Sequence, residues 1–523
     1  MFAQFPLAVR RFMREPISLD RARRIVRDGM ERRAENFLRI VERSVYGFPR
    51  SPYLALLKLA GCELGDLRAA VRDKGLEGAL RALRDAGVYV TYEEFKGRRP
   101  IVRGGLTLEV TAGDFDNPFA RRDFTLATGG STGLANRVYQ DLDHIAALGT
   151  IEVLTLAEHG VLDAPTAHWT HMLPGSGVRF ILQRACHGPY TQRWFSPIGW
   201  RGFKAWLKYD LATLYMLFWM RASGVRVSFP RIVKPSQAAT VARWMRETLD
   251  RHGRCLLFSN VSQAVRVCIA AQEQSLDLTG ATIHLSSEPL TPAKAERIEQ
   301  AGVRIVTAYG SVETGAIGLG CARRAHVDEV HLVMDAYALI DYPYAVPGIG
   351  VTVPAFNLTS LRDCSPKVML NYQSDDYGMV ETRACGCELG ACGYNVHLHG
   401  IRSYSKLVGE GVTLIGNEML RILEEVLPAR FGGTPLDYQM TEQEDAQGLT
   451  RLVLLVSPRI EIQDEAQVIQ VILDALSRSS PMAATVRPVW QQAQTLQIQR
   501  REPVVTARSK LLPLHIQRNS QNS

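Results

Sequence analysis

The chain has 523 residues, 46% of them hydrophobic, with a net charge of +8 and a pI near 9.0. One hydrophobic core seldom serves a chain of this length, so at least two domains are expected. The charge invites a polyanionic partner, yet acidic residues such as Glu15, Asp20, Glu31 and Glu35 lie among the N-terminal arginines at helix-like spacings. That is the pattern of a solvated helix laced with ion pairs, and a nucleic-acid arm is not expected. No apolar run approaches the roughly 18 to 20 residues a membrane helix needs; the nearest, Leu211 to Met220, is short and follows Lys208 and Asp210. Arg10, Arg11 and Arg14 have no apolar stretch with a cleavage site behind them, so no secretory signal is read and a cytoplasmic location is expected. Nine cysteines in such a chain point to reduced thiols or metal ligands and not to a disulfide framework.

From Ser18 to about Ala86 the pattern is helical and charged, and Val88 to Phe95 (VYVTYEEF) changes to strand-like alternation. Between Thr125 and Ile401, strand-like runs such as Cys255 to Phe258 and Val303 to Ala308 alternate with helical segments such as Ala238 to Asp250 and Pro292 to Ala301. The alternation predicts an α/β core. After Arg402 a smaller α+β unit is expected: a strand over Arg451 to Val456, an Asp464-capped helix with Val468, Val471, Ile472 and Leu476 on one face, and a strand near Val486 to Gln492. Glu444 to Gly448 (EDAQG) reads as a hairpin turn. The domains expected are thus residues 1–401, with 1–115 as a mainly helical extension, and a small cap over 402–523.

Three segments carry chemistry. Thr125 to Asn136 reads TLATGGSTGLAN; its glycines allow close backbone approach to a phosphate, and Thr128, Ser131 and Thr132 add hydroxyl donors. It is not a Walker A loop, because Leu134 follows Gly133 where that motif has Lys. Ser286 to Leu290 reads SSEPL, and Tyr309 to Gly315 reads YGSVETG directly after a strand-like run. There Tyr309 offers a flat face for a purine, Gly310 permits close backbone approach, and Glu313 suits a divalent cation that bridges phosphates. In Tyr372 to Gly378, YQSDDYG, an acid near a loop is placed to accept hydrogen bonds from ribose hydroxyls.

In this order the segments resemble the adenylate-forming superfamily of acyl-CoA synthetases, peptide-synthetase adenylation domains and luciferases. The resemblance implies a large α/β domain with a small C-terminal cap. It makes Thr128, Gly129, Gly130, Ser131, Thr132 and Gly133 the phosphate loop, although the lysine common at position 134 is absent. Tyr309, Gly310, Glu313 and Thr314 match its aromatic-Gly-x-x-Glu element, which implies adenine stacking for Tyr309 and magnesium at Glu313. Asp376, two residues before Gly378, matches the ribose-binding aspartate, with Asp375 beside it as the alternative. Arg402 opens the segment that joins the domains and would hold ribose or phosphate, while Tyr404 and Ser405 replace the usual acidic hinge pair. TARSKLLP at Thr506 to Pro513 resembles the TxxGKxxP element, with Lys510 at the lysine that neutralises charge between carboxylate and α-phosphate.

Within the superfamily the chain is similar to the phenylacetate-CoA ligase-like branch, through Ser51 to Gly61 and the SSEPLT of Ser286 to Thr291, which brings Ser287 and Glu288 to the nucleotide. Members of that kind carry a structural zinc with ligands placed like Cys321, Cys385, Cys387 and a nearby histidine, either His331 or His326. Ordinary reduced thiols are the alternative. The activity implied is ATP-dependent activation of an aryl or fatty acid, then transfer to coenzyme A. The phosphopantetheine of an acyl or peptidyl carrier protein is a second acceptor, and a non-catalytic relative that keeps the fold is a third reading.

Overall fold

The structure, a computed structural model, describes residues 4–127, 137–188, 192–198, 209–345, 352–403, 406–409, 412–415, 419, 421–434, 437–445, 449–479, 487–488, 490–503 and 514–516. Ser18 accepts a hydrogen bond from the Arg21 amide and opens the helix Leu19–Glu31. That helix buries Ala22 and Val26 and turns its charges outward, with Arg21 on Glu15 and Arg23 on Asp20, each at 2.8 Å. Exposed pairs of this kind contribute roughly 0–1 kcal/mol each, but Arg23 also holds both oxygens of Glu388, and Arg39 reaches Asp363, so part of the arginine-rich pattern ties these helices to the body. Helices Arg33–Val41, Pro52–Leu59 and Leu64–Asp85 follow; the last begins at a Glu63–Asp66 capping box and breaks at Gly75, where φ is 72°.

The strand expected over Val88 to Phe95 is shorter than its alternation implies. Only Val90–Thr91 is extended, and Thr91 then caps a helical turn, Tyr92–Phe95, in reciprocal hydrogen bonds with Glu94. Val90 and Thr91 pair in parallel with Tyr372 and Gln373. The helical extension is fixed to the α/β body at this point. Arg84 donates to Asn357 at 3.1 Å and Gln373 at 2.7 Å, and the Asn371 side-chain amide donates to the carbonyls of Leu80 and Val88.

The predicted α/β core is a thirteen-stranded sheet among the described residues. One half is parallel, in the order Arg304–Ser311, Ala281–Ser286, Cys255–Asn260, Thr166–Trp169, Gln192–Ser196 and Arg231–Ile232. Cys255–Asn260 is buried throughout, as parallel strands covered by helices on both faces must be. The other half is antiparallel and includes Tyr337–Ala345, Thr352–Ser360, Tyr372–Thr382 and Val396–Ser403. The halves meet at Arg304–Ser311, which is parallel to Ala281–Ser286 on one side and antiparallel to Gly315–Leu319 on the other.

A separate four-stranded sheet forms the smaller C-terminal unit, in the order Leu496–Arg500, Thr450–Val456, Tyr438–Glu444 and Leu514–Ile516. Tyr438–Glu444 and Thr450–Val456 form the expected hairpin, although residues 446–448 lie outside those described. The helix Glu465–Ser479 follows Asp464, which accepts from the Ala466 amide at 2.9 Å, and Val468, Ile472 and Leu476 are buried as their spacing predicts. The strand expected at Val486 to Gln492 is displaced. Residues 487–488 and 490–493 are helical, because Trp490 and Ala493, three apart, both face the core; the strand begins at Leu496. Leu211–Ala222 is a helix that packs on Phe5, Val9 and Trp194, and among the described residues no helix is long and apolar enough to cross a membrane.

Candidate active site

The turn YGSVETG lies at the carboxyl end of the last parallel strand, where ligands of open α/β sheets bind. The chain folds back there within a few residues, and the turn depends on two glycines. A Cβ on Gly310 would stand 2.0 Å from the Gly315 carbonyl oxygen, and Gly315 has φ of +73°. The Ser311 amide donates to Thr314 Oγ1 at 3.0 Å, and the Tyr337 hydroxyl donates to the Thr314 carbonyl, so the turn is braced from inside and from below. Glu313 projects into a cavity of about 390 Å³, which Tyr309, Glu288, Asp376 and Arg402 also line.

Burial alone would push the Glu313 carboxyl up, but the Lys96 ammonium pairs with it and holds it at about 2. Lys96 follows the short helix Tyr92–Phe95 of the extension and is itself buried. Nothing in the sequence singled it out, because Lys96 follows a strand-like run and belongs to none of the motifs. Tyr309 donates its hydroxyl to Asp376 Oδ2 at 2.8 Å, and its phenol is raised well above the usual range by burial and by that carboxylate. Asp376 pairs across the sheet with Ser403, and Arg402 with Tyr377, which brings both expected ribose ligands to one edge of the cavity. Asp375, the alternative, is buried. Arg402 donates to Asp328 at 3.4 Å and to the Ile401 carbonyl at 2.7 Å. Ser287 has φ of 72°, and Glu288 accepts from the Ser262 amide at 3.0 Å and hydroxyl at 2.6 Å, which pins the SSEPL turn to the start of the helix Val261–Glu273.

The phosphate-loop candidates Thr128, Gly129, Gly130, Ser131, Thr132 and Gly133, and Lys510, lie outside the described residues. The strands on either side of the loop, Phe124–Ala127 and Arg137–Gln140, form an antiparallel pair, and Ala127 lines the cavity. A further wall comes from the helix Gly177–Ala185, with Arg179, and from His284 on the strand Ala281–Ser286. Sequence reasoning passed over both, since each is a single polar residue within an apolar run.

A second cluster stands apart from the cavity. The ligand atoms of Cys321, His331, Cys385 and Cys387 all lie within 4.8 Å of one another, and His331 Nε2 is 3.4 Å from Cys385 Sγ and 3.3 Å from Cys387 Sγ. His331 Nδ1 is 2.9 Å from the Tyr394 carbonyl, which leaves Nε2 as the ligating nitrogen. Three thiols and one imidazole at these separations fit a tetrahedral zinc. The choice between His331 and His326 falls to His331, because His326 stacks on His399 instead, with ring centroids 3.7 Å apart.

Parallel strands that end in the Tyr-Gly-x-x-Glu turn, an antiparallel half that brings Asp376 and Arg402 to it, and a small C-terminal sheet together form the fold of the adenylate-forming enzymes. Among solved structures, 2-hydroxyisobutyryl-CoA ligase, with 2-HIB-AMP and CoA in its thioesterification state, is similar over 94% of this chain and 90% of its own, with a TM-score of 0.56 and 15% identity. An o-succinylbenzoate-CoA synthetase from Bacillus subtilis is similar over 76% of this chain and 69% of its own (TM-score 0.44, 12% identity), and an amide bond synthetase from Marinactinospora thermotolerans over 94% and 98% (TM-score 0.43, 13% identity). No family model matches the chain, and no curated protein matches it in sequence.

Proposed function

We propose that this protein activates a carboxylic acid with magnesium-bound ATP, forming an acyl-adenylate and pyrophosphate, and then transfers the acyl group to the thiol of coenzyme A. The observation that carries this reading is the meeting of Tyr309, Glu313, Asp376 and Arg402 on one cavity at the end of the parallel strands. Tyr309 stacks on adenine, Asp376 accepts from the ribose hydroxyls, and Arg402 holds ribose or phosphate. Glu313, ionised and facing the cavity, is the carboxylate for magnesium, whose charge offsets that of the phosphates. Glu313 would hold the metal, and Lys96, which pairs with it here, would stand close enough to offer its ammonium to the phosphates. This supplies a cation that the glycine-rich segment lacks, with Leu134 in place of lysine.

The substrate carboxylate attacks the α-phosphate and pyrophosphate leaves. Lys510 neutralises the charge that develops between the two reacting groups, and Thr128 to Gly133 cradle the leaving phosphates. No covalent enzyme intermediate is required. The cap that begins at residue 402 then rotates, withdraws Lys510 and admits the thiol. Cys321, His331, Cys385 and Cys387 would hold a zinc that ties the loops behind Glu313 and Asp376 together, and with SSEPLT this cluster favours the phenylacetate-CoA ligase-like branch. The arginine-rich N-terminal helices favour a second acceptor, the phosphopantetheine of an acidic carrier protein.

The test is acid-dependent exchange of labelled pyrophosphate into ATP across aryl and fatty acids. Exchange excludes a non-catalytic relative, and supplying coenzyme A against a carrier protein then separates the two acceptors. Absence of exchange with every acid, in protein that binds ATP, would overturn the enzymatic reading.

A further inference from the structure

The cavity wall formed by the helix Gly177–Ala185 carries none of the nucleotide-binding candidates, so on the ligase reading it faces the acyl group. A wall for a hydrocarbon chain would be apolar. Arg179 is instead 7% exposed, and among the described residues its guanidinium makes one hydrogen bond, from Nη1 to the Ser311 carbonyl at 3.3 Å, while Nε makes none. The carboxylate whose charge acts on it, Glu313, already carries the Lys96 ammonium. A buried guanidinium without its own anion is costly, and a fold retains one where a ligand completes the pair.

The same flank holds a second incomplete group. His284 is 3% exposed, and among the described residues neither of its ring nitrogens has a hydrogen-bond partner. Its ring stacks on Phe258 at 4.6 Å, and Phe258 lies 6.2 Å from Phe180, the neighbour of Arg179. Burial lowers the His284 imidazole to about 4, so near neutrality it is uncharged and has one N–H to donate. A buried cation and a buried neutral donor thus line one aromatic-backed flank, and a methylene chain would leave both unsatisfied.

We propose that the acid bound in this cavity carries a second anionic group, a further carboxylate being the simplest, which pairs with Arg179 and accepts a hydrogen bond from His284. The inference rests on the ligase reading for the placement of the acyl group, and it narrows that reading from aryl and fatty acids to dicarboxylic acids. Arg179 then sets specificity, since a planar guanidinium recognises a carboxylate through two parallel hydrogen bonds.

The test is binding to the full chain in the presence of a non-hydrolysable ATP analogue, comparing adipate with hexanoate and terephthalate with benzoate. The diacid of each pair is expected to bind at least about tenfold more tightly. Arg179→Met should erase that preference while leaving the affinity for the ATP analogue and the melting temperature at or above wild type, because it removes an uncompensated buried charge. Arg179→Lys, which keeps the charge without the fork, should retain part of the preference and covers the case in which the Met variant folds poorly. Equal binding of mono- and diacids to the wild type would overturn the proposal, as would a variant that loses affinity for the ATP analogue instead. A diacid preference in protein that exchanges no pyrophosphate would sink the catalytic reading and leave the assignment of Arg179 standing; exchange driven equally by hexanoate and adipate would do the reverse.

Discussion

Replacing Lys96 by Met keeps the length of the side chain, deletes its charge and leaves Glu313 buried without its partner. In the wild type Glu313 is held at about 2 against an ordinary 4.5. At 1.36 kcal/mol per pH unit, that difference corresponds to about 3 kcal/mol of folding stability. The figure agrees with the roughly 3–5 kcal/mol lost when one member of a buried pair is removed. Because the folded-state value is depressed, this stabilisation is complete above pH 4.5 and is lost as the pH falls towards 2. In Lys96→Met burial prevails and raises Glu313, which then takes up a proton in the folded state. The variant should therefore recover ground as the pH is lowered through the weakly acidic range. Thermal melts at pH 8 and pH 5 should show the larger deficit at pH 8, and Lys96→Met with Glu313→Leu should melt above Lys96→Met alone. A single variant as stable as wild type at pH 8, or a double variant less stable than the single, would refute the reasoning.

Glu313→Gln should raise the magnesium concentration needed for half-maximal pyrophosphate exchange and slow adenylate formation; an unchanged magnesium profile removes Glu313 from the metal's surroundings. Lys510→Ala should nearly abolish adenylate formation while thiolysis of a supplied acyl-adenylate stays largely intact, and survival of both half-reactions at wild-type rates contradicts its role. Purified protein should contain about one zinc per chain under a four-ligand site. Cys387→Ser should lower both metal content and melting temperature, whereas Cys268→Ser, in the buried helix Val261–Glu273, should leave the metal in place. Elemental analysis that finds no metal in active, folded protein returns these cysteines to ordinary thiols.

Local pattern made the parallel strands legible, because a run such as Cys255 to Phe258 has one reading once helices flank it. Tyr309, Glu313, Asp376 and Arg402 were singled out by resemblance to a family's motifs and not by local periodicity, and they line one cavity. Lys96 was not legible. Its importance comes from a parallel pairing between Thr91 and Gln373, and no local rule reports a contact of that range. Arg179 and His284 escaped for a related reason, since a lone polar residue in an apolar run says nothing of whether its partner belongs to the protein or to a ligand. At Val486 to Gln492 a short apolar run was open to two periods, and the packing of Trp490 decided between them. The cysteines were legible as a group, but which histidine stands with them depended on the fold, which sets His331 Nε2 beside the thiols and stacks His326 on His399.

The short strand Val90–Thr91 also bears on how the chain matures. The Asn371 amide reaches back to Leu80 across 291 residues, and part of the extension's buried surface finds its cover on strands made just as late, while the helix Leu19–Glu31 packs on Leu142–Glu158. A ribosome releases the extension long before Tyr372 exists, so Phe95 emerges before the ring it packs against has been made. Closing so long a loop is an entropic cost met only when the whole α/β body has been made. The pairing of Val90–Thr91 with Tyr372 and Gln373 therefore closes only after that strand has been made. Lys96 follows Val90–Thr91 by five residues, so the cation that offsets the Glu313 charge is seated by the same closure.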